Sequence, residues 1–237
     1  MKLGQIHTTI TIFNILLFSF LFIAFSDLKL LFIQEDNFIE NLSAILFFLS
    51  FFVGLITLIR FKKPHFHPIY IGIPVLGLIG FLDEISFGER IAGFKSPELY
   101  GAKIASFHDA VDSIDHVLYR SIKYGDYLLL FLLLAILLAT LFGIVQLIRR
   151  YRKNLRLNKI LTFSEKHPPF RFLLISLGFI FIAMMIDFDI IGDHRAATFM
   201  FVEEIFEMNA ALTFLFGALA IGIRQQSPTI RKHLVKL

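Results

Sequence analysis

The chemistry open to this chain lies in carboxylates and imidazoles set beside long apolar runs. In FLDEISFGER, residues 81–90, an uncharged run meets Asp83, Glu84, Glu89 and Arg90. A second acidic group comes late: Asp187 and Asp189, then Asp193-His194-Arg195, then Glu203, Glu204 and Glu207. On a helix, 203 with 207 and 204 with 207 fall on one face. Ionisable groups at the mouth of a membrane-spanning helix are expensive and mark functional sites. Carboxylates crowded together repel unless a cation, a proton or a basic partner compensates them. With histidine, they suit a divalent cation that polarises an ester or phosphate and activates water. The expected site therefore has Glu84, His108 and Glu204 in catalytic roles, and Glu84, His108, Asp187, His194, Glu204 and Glu207 as ligands of one divalent metal ion. Ser86 is placed to hydrogen-bond a substrate, with no base beside it to make it a nucleophile. Asp83, Glu89, Arg90, Asp193 and Arg195 read as interfacial charges and local ion pairs.

Those residues need a scaffold, and the composition says which kind. The 237 residues are 57% hydrophobic and 18% charged, with 30 Phe and no Trp, and the mean hydropathy is +0.74. That is an integral membrane composition. Six apolar segments approach the roughly 20 residues needed to cross a bilayer. They lie at about 8–26, 39–60, 69–88, 127–148, 170–188 and 199–223. The expected fold class is all-α: a polytopic membrane helix bundle of six transmembrane helices plus an outer-face amphipathic helix, with 1–237 as one integral membrane domain. Basic connections (Arg60, Lys62 and Lys63; Arg149 to Arg171; Arg224 to Lys236) alternate with acidic ones (Asp27 to Glu40; 83–126; Asp187 to Asp193). The positive-inside rule then puts both termini in the cytoplasm and the acidic connections outside.

Within the third span, Gly77, Gly80, Glu84 and Gly88 recur at spacings of three and four. They share one face, and small residues let helix backbones approach closely in a membrane. Glu84 continues that stripe and is expected to point into the bundle. The fourth span has no charge and few small residues, so it is expected to face lipid. Beyond the third span, Ser96-Pro97-Glu98 reads as a helix start. Ile104, Phe107, Val111, Ile114 and Leu118 then form an apolar stripe. The expectation is an amphipathic lid over about 97–122, with His108 on an adjacent face. His65 and His67, between Pro64 and Pro68, read as a turn rather than a metal site.

Residues 81–108, FLDEISFGERIAGFKSPELYGAKIASFH, resemble a motif of a group of uncharacterised bacterial multipass membrane proteins, of the form EEISWGQRI, then G-x-x-x-P-E, then Leu-His-Asn. Asp83, Glu84, Ser86, Gly88, Arg90, Ile91, Gly93, Pro97, Glu98 and His108 hold the matching positions. The late Glu203-Glu204-x-x-Glu207 is similar to that group's final span. The chain departs from the motif at Asp83, Phe87 and Glu89 and lacks its Asn/Gln-rich part before the histidine. The resemblance implies the same site residues without implying a reaction.

Zero Cys excludes disulfides, thiolate ligands and cysteine nucleophiles. The chain has no GxGxxG, no GxxxxGK[ST] and no HExxH, and its acidic triplet lacks the His of the Glu-x-x-His di-iron motif. The basic loop 149–166 fits anionic headgroups and carries no nucleic-acid recognition motif, so membrane lipids are the expected partners and nucleic acid is not. Three function classes remain. One is a metal-dependent hydrolase or transferase on a lipid or lipid-linked substrate. The second is a proton- or cation-coupled transporter. The third is a non-catalytic subunit or assembly factor that docks on a membrane-protein partner or a second copy through Phe-rich surfaces.

Overall fold

The apolar runs become helices because a backbone in a hydrocarbon setting satisfies its N–H and C=O groups within its own segment. In a computed structural model, the described residues are 3–25, 27, 29–33, 38–60, 68–86, 93, 95, 98–99, 102–103, 122–123, 131, 135, 138, 142, 163–164, 167–188, 190–192 and 196–225. The chain divides into two units, Met1–Glu84 with Lys166–Leu237, and Ile85–Glu165.

The first unit contains α1 (Leu3–Ala24), α2 (Leu30–Ile33), α3 (Phe38–Arg60), α4 (Pro68–Glu84), α5 (Pro168–Asp187) and α6 (Ala197–Gln225). Proline in the first turn of α5 suits a position whose N–H has no intrahelical partner. Among the described residues, four helices, α1, α3, α5 and α6, are long and apolar enough to cross a membrane. Their outward surface is apolar too: Phe13, Leu16, Phe20 and Ile23 on α1, Phe52 and Ile59 on α3, and Phe181 on α5 are all exposed. That surface suits lipid tails.

α6 is the central helix, packed most extensively against α5 and α3, while α3 also packs on α4. Its composition allows this, because Ala210, Ala211, Ala218 and Ala220 are buried and let the neighbours close in. The α3–α4 seam is tighter still. Gly54 meets Pro74, Gly77 lies on the backbone of Phe47 and Phe51, and Gly80 lies on the Phe47 ring. Those pairings run in opposite senses, so α3 and α4 are antiparallel. The glycine stripe expected on the third span is therefore a helix contact, at Gly77 and Gly80. Phenylalanine fills the rest of the core: Phe22 stacks on Phe201 at 4.2 Å, Phe18 meets Phe32 edge-on, and Phe47 packs on Phe214.

The expected third span is shorter than its apolar run. α4 stops at Glu84 rather than 88, and its 17 residues reach about 25 Å at 1.5 Å per residue. Ser86, with φ +50, carries the chain away from the helical path. Gly88 and most of the expected fourth span, 127–148, lie outside the described residues. Four residues of that span are described, Phe131, Ala135, Leu138 and Phe142; all are helical and exposed.

In the second unit, the expected helix start at Ser96-Pro97-Glu98 is corrected. Glu98–Leu99 and Ala102–Lys103 form a short antiparallel β-pair, β1 and β2, in which Glu98 faces Lys103 and Leu99 faces Ala102. Glycine at position 101 disfavours helix here. The remainder of the expected lid, 104–121, lies outside the described residues.

Candidate cation site

Chain direction sets the location of this site. α3 begins, α4 ends, α5 ends and α6 begins at one end of the first unit, because α3 is antiparallel to α4 and α5 to α6. The α5–α6 pairing follows from Phe172 against Phe216, Ser176 against Ala210 and Phe179 against Phe206. Each of these helices carries carboxylates toward that end: Glu40 on α3, Asp83 and Glu84 on α4, Asp187 on α5, and, in the second and third turns, Glu203, Glu204 and Glu207 on α6. All seven are partly buried.

Glu84 is the centre of the group. Among the described residues, the charged groups that act on it are, in order of strength, Glu207, Glu204, Glu40 and Asp83. Every one is acidic, and they come from three helices. The arrangement follows from local sequence. Gly77 and Gly80 bring α4 against α3, and the next turn of the same stripe holds Glu84. Glu204 and Glu207 lie one turn apart on α6, near Ala211 and Phe214, which join the core shared with α3 and α4. Beside the carboxylates at the same end, Ile39, Phe201, Ile205 and Met208 pack with Phe18, Phe22 and Phe32 in one apolar cluster. The carboxylates thus sit at the rim of a dense apolar layer, where water screens charge poorly.

Of the six expected ligands, four are described, and they lie at this end of the first unit. Glu84, Glu204 and Glu207 come together. Asp187 closes α5 at the same end but is not among the groups acting on Glu84. His108 and His194 lie outside the described residues. Among the described residues, no three His, Asp or Glu side chains are set closely enough to hold a metal ion. Glu40 belongs to the cluster too, a residue that the charge pattern alone assigns to an acidic connection. Its signal was present: it falls in the first turn of α3, beside the buried stripe of Ser43, Ala44, Phe47, Ser50 and Gly54. Asp83, read as a rim charge, also acts on Glu84.

Such an arrangement concentrates negative charge at the end of an apolar bundle. It can take up a cation or protons, and it can polarise or deprotonate a ligand presented there. No protein-family model matches this chain, and neither a curated protein nor a solved structure matches it.

Proposed function

We propose that this chain is a polytopic protein of a bacterial inner membrane whose acidic cluster, at the outer face, serves a metal-dependent hydrolase or transferase acting on a lipid or lipid-linked substrate. In this reading α4 and 127–148 are spanning segments as well, making six. The termini are cytoplasmic because the basic connections flank the opposite ends of the helices. Glu84, Glu204 and Glu207 hold a divalent cation with Asp187, His108 and His194. The cation supplies polarisation of an ester or phosphate and a water of lowered pKa. Of Glu84, Glu204 and His108, a side-chain atom left free by the cation would take the proton from the attacking water and pass it to the leaving oxygen as the bond breaks. The carrying observation is the convergence on Glu84 of carboxylates from three helices.

A second reading, a proton- or cation-coupled carrier, is favoured by a different observation: the described carboxylates do not by themselves make a three-donor metal group. Carboxylates that exchange protons or a monovalent cation need no such grouping. Elemental analysis of the purified full chain separates the two readings. The enzyme reading expects stoichiometric divalent metal, lost in Glu84→Ala and in Glu204→Ala/Glu207→Ala. Metal-free protein whose variants keep their fold contradicts it, and cation flux into liposomes then tests the carrier.

A further inference from the structure

α6 carries a second polar locus, on a different face from the acidic cluster. Asn209 and Thr213 are both fully buried there, one turn apart. The Thr213 hydroxyl donates to the Asn209 carbonyl at 2.6 Å, and Asn209 Nδ2 donates to the Ile205 carbonyl at 2.8 Å. His7 of α1, also buried, places Nε2 2.8 Å from Thr213 Oγ1. A hydroxyl has one proton, and that of Thr213 is committed to the carbonyl. Thr213 Oγ1 therefore accepts from His7, so Nε2 carries a hydrogen and a neutral ring keeps its lone pair at Nδ1. Phe172 and Phe216 stand edge-on to the imidazole, each with its centroid 5.1 Å away.

One acceptor in this network is left over. Asn209 Oδ1 is buried and has no hydrogen-bond partner among the described residues. The bond from Nδ2 to Ile205 fixes which end of the amide is oxygen, so turning the amide over does not remove the vacancy. A buried acceptor without a donor is rare in folded proteins, and an internal water commonly supplies one. α1 runs antiparallel to α6, with Phe22 on Phe201 and His7 on Thr213. Thr11 and Asn14 therefore stand level with Asn209. They share a face with His7 at spacings of four and three. Thr11 is buried, its Oγ1 3.4 Å from His7 Nε2.

We propose that the interface of α1, α5 and α6 binds an internal water molecule, which donates to Asn209 Oδ1 and is held from α1 by Thr11 and Asn14. The ligand has to be a neutral hydrogen-bond donor, because the unfilled atom is an amide oxygen. Water is the smallest molecule that fits this description. The site is independent of the acidic cluster and of any reaction assigned to it. Its structural effect is to let a row of polar residues dock α1 on an otherwise apolar face of α6.

Magnetic resonance of the full chain in lipid bilayers, with Asn and His labelled by ¹⁵N, tests this. Transfer of magnetisation from water to the Asn209 side-chain amide is expected in the wild-type protein. It is expected to fall several-fold in Thr11→Val/Asn14→Leu, a pair that leaves Asn209 intact. No water contact at Asn209 in the folded wild-type protein overturns the proposal. An undiminished signal in the double variant overturns the part assigned to α1. His7 should show a protonated Nε2 and an unprotonated Nδ1; the opposite tautomer overturns the donation from His7 to Thr213.

Discussion

Gly80→Ala tests how the site-bearing helix is held. A Cβ built at residue 80 falls 2.7, 2.8 and 2.9 Å from Cδ1, Cε1 and Cγ of Phe47. Carbon atoms rest at about 3.5 Å or more, so the ring has to retreat by about 0.7 Å. It has little room, being 4% exposed and backed by Phe214 at 5.8 Å between centroids. Overpacking of this kind costs about 1–3 kcal/mol. Replacing helical Gly by Ala returns about 0.8–1.0 kcal/mol, leaving a net loss of up to about 2 kcal/mol. Gly72, on the same helix, has nothing within 4 Å of its added Cβ, so Gly72→Ala should gain up to about 1 kcal/mol. The assay is reversible unfolding in mixed micelles of mild detergent and SDS, followed by helical circular dichroism. The two substitutions should move the midpoint in opposite directions. Equal stabilisation by both would refute the close α3–α4 contact, and with it the reason Glu84 faces inward.

Other substitutions probe the remaining backbone and polar features. Gly192 has φ +84, and a Cβ there would run into the Phe199 ring; Gly192→Ala should cost more than about 1 kcal/mol in the same unfolding assay, and a neutral result would remove the tight α5–α6 turn. Ser86 holds φ +50, a conformation that costs a non-glycine residue about 1–2 kcal/mol. Ser86→Gly should therefore raise the unfolding midpoint, and a fall would place a stabilising contact on the hydroxyl. Ser50 Oγ is buried without a hydrogen-bond partner among the described residues. Removing a buried polar atom that has no partner is neutral or stabilising, so a loss of about 1 kcal/mol or more on Ser50→Ala would reveal a partner.

Much of the helical frame is legible in the chain, because long apolar runs and small-residue stripes are local signals with a fixed period. Gly77, Gly80 and Glu84 are readable as one face, and that face does pack on α3. Glu204 and Glu207 are readable as a pair by the same rule. Glu40 is harder, since its role depends on which helix lies beside α4, and no pattern within 38–60 states that. The β-pair at 98–103 was misread for a related reason. Ser-Pro-Glu is a strong local helix signal, whereas the pairing of Glu98 with Lys103 is an interaction across strands. Helix ends shift as well: α1 begins at Leu3, five residues before the apolar run suggests, and in this added stretch His7 finds its partner, Thr213, on α6. His7, Thr11 and Asn14 were visible at helical spacing. Their importance rests on Thr213 and Asn209, some 200 residues away, which only the packed helices bring near.

The central claim is that Glu84 and the Glu204/Glu207 pair act as one cation site. Calorimetric titration of the purified chain with Mg²⁺, Mn²⁺ and Zn²⁺ in turn tests it most directly, comparing wild type with Glu84→Gln, with Glu204→Gln/Glu207→Gln, and with all three changes together. Groups that form one site lose function together rather than additively. The account predicts stoichiometric binding of a divalent cation by the wild type, at least tenfold weaker binding in either variant, and no further loss in the combined one. Unchanged affinity in Glu84→Gln, or separate losses that simply add, would contradict it.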